Sequence, residues 1–140
     1  MHIALQVFHT AQILDKAAKR VFTPHGLTVA QFNVLHLLSD QPAGMRASDL
    51  AKNLVVDPSN VTGLLKRMVK EDLVEDSENP RDGRQRIVTP TAKGRAVWKK
   101  AERDYEAALA MISAGLTPAE ERVASEALRK LLEKAYALSA

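Results

Sequence analysis

The stretch ASDLAKNLVVDPSNVTGLLKRMVKEDLVED, residues 47–76, decides how this chain folds, because it passes from helix to helix to strand with little between them. Ala47, Leu50, Ala51 and Leu54 recur at helical spacing, so residues 46–54 read as a short helix. The tripeptide VVD interrupts it. At Asp57 a second helix starts on a strong signal, an acceptor side chain at the cap followed by Pro58 at the first helical position. That helix buries Val61, Leu64, Leu65 and Met68 on one side and turns Ser59, Asn60, Thr62, Lys66, Arg67 and Lys70 mainly to the other. Two short helices joined by a tight turn, the second carrying small polar and basic side chains near its start, are the parts of a helix-turn-helix.

Directly after this pair, LVED (73–76) and RIVT (86–89) read as two short strands joined by SENPRDGRQ, which holds an Asn-Pro and an Asp-Gly turn signal. The result is a hairpin with a long arm. Arg81, Arg84 and Arg86 crowd onto it with one nearby acid, Asp82. Residues 80–100 carry seven basic side chains against that acid, a local charge of +6 in a chain whose net charge is +3. A solvated face is the usual origin of a basic run taken alone, but a patch following a helix-turn-helix suits a polyanion such as nucleic acid. The major groove admits one helix, whose first turns offer Ser, Asn and Thr to base edges while Lys and Arg reach phosphates. The narrow minor groove concentrates negative potential and attracts an inserted arginine.

Outward from this centre the chain is helical. Ile3, Val7, Ala11, Leu14, Ala18 and Val21 mark an amphipathic helix over 3–22, which TPHGLT stops. Thr28 caps a second helix with Phe32, Leu35 and Leu38 on one face, ended by DQPAG. Residues 89–113 resume helix, with Ala96, Ala101, Tyr105, Leu109 and Ile112 among its apolar positions. After GLTP, Thr117 caps a last helix lined by Val123, Ala127, Leu131, Ala135 and Leu138. At 140 residues this is one mainly α domain with a small β-hairpin wing.

The segments LTVAQFNVLHLL, ASDLAKNLVVDPSNVTGLLKRMVKEDLVED and NPRDGRQRIVTPTAKGRAV resemble the MarR family of bacterial transcription regulators, and the similarity runs from Thr28 to Val97. The most specific part is Asp82-Gly83-Arg84 followed by a strand, Thr89-Pro90-Thr91 and Gly94. Pro90 departs from the family's common leucine, and Gly63 interrupts the second helix of the pair at a cost of about 1 kcal/mol relative to alanine. Close approach to DNA or a packed neighbour is the expected reason for that glycine.

The resemblance implies a winged helix-turn-helix at 28–99 and dimerisation helices at 1–27 and 100–140. It implies a homodimeric repressor on double-stranded DNA with a pseudo-palindromic operator, released by a small aromatic or phenolic effector. It further implies that Arg84 enters the minor groove, that Asp82 braces it by a charge-assisted hydrogen bond, that Arg81 and Arg86 support it at phosphates, and that Ser59, Asn60, Thr62, Lys66 and Arg67 face DNA.

Other functions are excluded or left as alternatives by the residues themselves. No Cys-His or Ser-His-Asp signature, glycine-rich phosphate loop or paired carboxylates point to an enzyme. There is no cysteine, and His2, His9, His25 and His36 lack ligand spacing, so neither a metal nor any other cofactor is expected. His9 and His36 are candidates for lining an effector pocket, while Trp98 and Tyr105 are expected to pack. No apolar run is long enough for a membrane helix and the N-terminus lacks a signal sequence, so a cytoplasmic location is expected. The alternative function is a ligand- or protein-binding helical module without specific DNA binding, which leaves the wing arginines unexplained.

Overall fold

The computed structural model describes residues 1–54 and 58–140. Helix α1 (Ile3–Phe22) begins where His2 accepts from the Ala4 amide at 3.1 Å. It ends in a single 3-10 turn at Thr23–His25 closed by Gly26 at φ 72°, a left-handed position that glycine takes without steric cost. Helix α2 (Val29–Leu38) starts on a reciprocal capping box: Thr28 Oγ1 accepts from the Gln31 amide at 3.1 Å and Gln31 Oε1 accepts from the Thr28 amide at 3.0 Å. Phe32, Leu35 and Leu38 are all buried, as their spacing predicts.

A strand that the sequence reading did not anticipate follows. Gly44, at φ 81°, turns the chain so that β1 (Met45–Arg46) pairs with the hairpin. A Cβ at Gly44 would stand 2.5 Å from the Val88 carbonyl oxygen, so the approach of the two strands requires glycine there. The expected two-stranded wing is therefore a three-stranded antiparallel sheet of order β1-β3-β2, with β2 at Val74–Glu78 and β3 at Arg86–Pro90. Two residues show no alternation, which is why β1 left no periodic signal.

Between β1 and β2 lie α3 (Ala47–Leu54) and α4 (Pro58–Lys70), matching the predicted pair. The Asp57 cap and the VVD interruption lie outside the described residues. Leu50, Val61 and Met68 are each 1% exposed or less and pin both helices to the core. Burying each contributes on the order of 1.5–3 kcal/mol. After α4 the chain reverses through Asp72 at φ 59°.

Helix α5 (Ala92–Ser113) is capped by Thr91, whose hydroxyl accepts from the Gly94 amide at 2.9 Å and donates to the Asp72 carbonyl at 2.6 Å. Gly94 has no room for a side chain, because a Cβ there would run into the Leu73 carbonyl. Val97 and Ala101 face the core, whereas Ala96 is exposed. Phe22 stacks on Phe32 with ring centroids 4.1 Å apart and Tyr105 meets both edge-on, so Tyr105 packs as expected. Helix α6 (Pro118–Ser139) opens on a capping box of Thr117 and Glu120 and buries no residue. Among the described residues, no helix is long and apolar enough to cross a membrane.

Candidate nucleic-acid interface

The buried stripe of α4 leaves Ser59, Asn60, Thr62, Lys66, Arg67 and Lys70 exposed, the division that the helical period predicts. Gly63 lies on the same exposed face with nothing within 4 Å of where a Cβ would sit, so a packed neighbour is not its reason. Thr62, Leu65 and Lys66 of α4 share one open groove with Asp76, Arg86 and Val88 of the sheet. Helix face and wing thus form a continuous surface.

The wing is rigidly built up to its tip. Strands β2 and β3 pair from Val74 with Pro90 to Glu78 with Arg86, and the loop 79–85 is closed by the Asn79 amide donating to the Gln85 carbonyl at 3.0 Å. Two side-chain turns shape the loop: Asn79 Oδ1 accepts from the Arg81 amide at 3.0 Å and Asp82 Oδ1 from the Arg84 amide at 3.1 Å. Asp82 therefore braces Arg84 through the backbone amide. A carboxylate on a backbone N–H is still a charge-assisted bond. Arg81 and Arg84 remain exposed, and neither guanidinium forms a side-chain ion pair among the described residues.

Arg86 behaves differently from its neighbours. Its Nε donates to Asp76 Oδ1 at 3.0 Å and its Nη2 to the Asp76 carbonyl at 2.9 Å, so Asp82 is not the only counter-charge on the hairpin. The cross-strand step from β2 to β3 creates this pair, which sequence distance conceals. Arg67 is likewise engaged: its Nε donates to Glu71 Oε1 at 3.0 Å. Glu71 also receives the Gln31 amide nitrogen at 2.9 Å, and its backbone carbonyl receives Lys93 Nζ at 3.0 Å. The Arg67 guanidinium, opposed by partial burial and assisted by Gln31, holds the Glu71 carboxyl below the usual glutamate range.

Residues that sequence reading missed lie at the foot of the wing. Arg46 forks onto both carboxylate oxygens of Asp49, at 2.8 and 3.2 Å, and its Nη1 reaches Gln85 Oε1 at 3.1 Å. The fork lowers the Asp49 pKa and raises that of Arg46, each chiefly through their shared hydrogen bonding. The Arg-x-x-Asp spacing at 46–49 was visible, but nothing in the sequence placed Gln85 beside it.

The histidines proposed as pocket lining are divided. His9 is exposed on α1, whereas His36 stacks on Phe32 at 5.6 Å and accepts from Trp98 Nε1 at 3.3 Å, so Trp98 and His36 hold each other.

The sequence model of the MarR family matches residues 27–85. HTH-type transcriptional repressor Rv2887 of Mycobacterium tuberculosis is 30% identical over 125 residues, 89% of each chain. The homoprotocatechuate degradative operon repressor of Escherichia coli is 32% identical over 127 residues, 88% of this chain and 82% of that one. The transcriptional activatory protein BadR of Rhodopseudomonas palustris is 38% identical over 96 residues, 67% of this chain but only 55% of that longer protein. Among solved structures, a mutant of Escherichia coli MarR complexed with operator DNA superposes with a TM-score of 0.85 at 27% identity, covering 93% of both chains. Helix order, wing and sequence agree, and the chain belongs to the MarR family of transcription regulators.

Proposed function

We propose that this regulator is a homodimeric repressor that binds a pseudo-palindromic operator in the cytoplasm, α4 reading the major groove and Arg84 the minor groove. The single observation that carries the reading is the continuous surface on which Lys66 of α4 and Arg86 of the wing line one groove, with Arg81 and Arg84 exposed beyond it. Ser59, Asn60 and Thr62 stand on the exposed face of the first turns of α4, where side chains reach base edges, and Lys66 and Arg67 follow where phosphates run. Asp82 fixes the backbone that aims Arg84.

Residues 28–99 are the DNA-binding part in this reading, and 1–27 with 100–140 dimerise. Helices α1, α5 and α6 leave Phe8, Met111, Val123, Leu132, Tyr136 and Leu138 more than half exposed in the single chain. So much apolar surface on the two ends of one chain is the mark of a surface that a second copy covers. Leu128, Leu132 and Tyr136 add a stripe beside the one that the sequence spacing outlined, so α6 is apolar on more than one side.

Repression is favoured by the names of Rv2887 and the homoprotocatechuate operon repressor, whose matches cover most of their length. An aromatic or phenolic acid as effector is favoured by the second of those names. No catalytic step is assigned to the chain. Arg84→Ala tests the reading: DNA affinity falls by about tenfold or more while dimer mass and melting temperature hold, and wild-type log affinity falls steeply with log salt. Unchanged affinity in that variant contradicts it.

A further inference from the structure

We infer that Arg46 is a positioning residue that sets the wing against the helix-turn-helix, so that operator affinity depends on it through Arg84. The inference rests on the reading of the wing as a DNA arm. Arg46 is the last residue of β1, and its pairing with Ile87 places it beside the root of the arm. Its guanidinium is shared between two elements: Asp49, in the first turn of α3, takes two bonds and Gln85 takes one. Gln85 is the residue between Arg84 and β3. Its backbone also closes the loop, accepting from the Asn79 amide and donating to the Asp82 carbonyl, both at 3.0 Å.

One planar fork therefore ties the start of the helix-turn-helix to the residue beside the wing arginine. The paired stretch of β1 is only two residues long, too short to fix an angle by itself. Three directional bonds from a rigid guanidinium supply what the short strand lacks, and a lysine's point charge cannot reproduce them. The Arg46 side chain is 42% exposed and that of Asp49 34%, so the ion pair adds little to folding. Its contribution is orientation.

The test uses the full-length dimer and a fluorescent duplex carrying a bound sequence, with affinity, dimer mass and melting temperature measured for Arg46→Ala, Arg46→Lys, Gln85→Ala, Arg84→Ala and the Arg46→Ala/Arg84→Ala double variant. The expected result is that Arg46→Ala weakens binding by about tenfold with folding unchanged. Arg46→Lys fails to restore it, and Gln85→Ala, which removes only the wing-side bond, is also weaker than wild type. The double variant then binds no more weakly than Arg84→Ala alone, because the arm that Arg46 positions has lost its tip. Wild-type affinity in Arg46→Ala or Arg46→Lys overturns the inference. So do losses that multiply in the double variant, since Arg46 would then act on DNA independently of the wing. Full affinity in Arg84→Ala overturns instead the reading of the wing beneath it.

Discussion

Gly63 sits in the exposed face of α4 with open space where a side chain would be, so neither packing nor a left-handed backbone demands glycine there. Glycine in a helix interior costs about 1 kcal/mol against alanine. That cost is offset only if something outside the chain approaches the α4 backbone closely. Gly63→Ala should therefore raise stability by about 0.5–1 kcal/mol in denaturant titration while weakening DNA binding. Equal or tighter binding in that variant would remove close approach as the reason. At this scale the sequence was informative about which residues are exposed and less so about their bonds. The α4 face followed from the helical period, whereas the partner of Arg86 is Asp76, ten positions away and diagonal to it across the strands, where Glu78 is the residue directly opposite. The expected bond from Asp82 to Arg84 is made at the backbone amide, a choice of donor that the sequence did not specify.

Among the elements, α4 does not stand alone. Gln31, which caps α2 with its oxygen, donates with its nitrogen to Glu71 just past the end of α4, and Glu71 in turn holds Arg67. Gln31 is 2% exposed, so this bond ties α2 to the end of α4 from inside the fold. Because the Glu71 carboxyl is held below its ordinary value, its charged form stabilises the folded state at pH above the unfolded value of about 4.3. The contribution disappears as pH falls through the lower, folded value. Wild type and Glu71→Gln, unfolded in urea at one protein concentration from pH 3 to 7, should differ by a constant amount above about pH 5 and converge in acid. A difference that grows in acid contradicts this sign. Element existence was legible where caps and apolar periods agreed, at Thr28 and Thr117, whereas α5, expected from residue 89, starts only at Ala92 because β3 runs to Pro90 and Thr91 is the cap. The two-residue β1 was not, since its only trace is Gly44, whose need for a left-handed turn and close strand approach shows only once β3 is placed.

For the whole molecule, the single chain leaves the apolar faces of its terminal helices open. Helix α6 buries nothing, and Val7, Ala11 and Leu14 of α1 face Ala124, Leu128 and Leu131 of α6 across an open apolar groove. On the proposed function, a two-fold dimer that fills this surface would place two copies of α4 on one face of DNA, roughly 34 to 36 Å apart. In the sequence the terminal helices were legible as amphipathic helices, and their role in dimerisation came only from the family resemblance, because pairing between copies leaves no local signature. Operator recognition is tested most directly by selection of bound duplexes from a random DNA pool with the purified protein at near-physiological salt. The expected result is an enriched pseudo-palindrome with half-site centres about 10 base pairs apart. A bound pool with no enriched sequence, or a single unrepeated half-site, would contradict it.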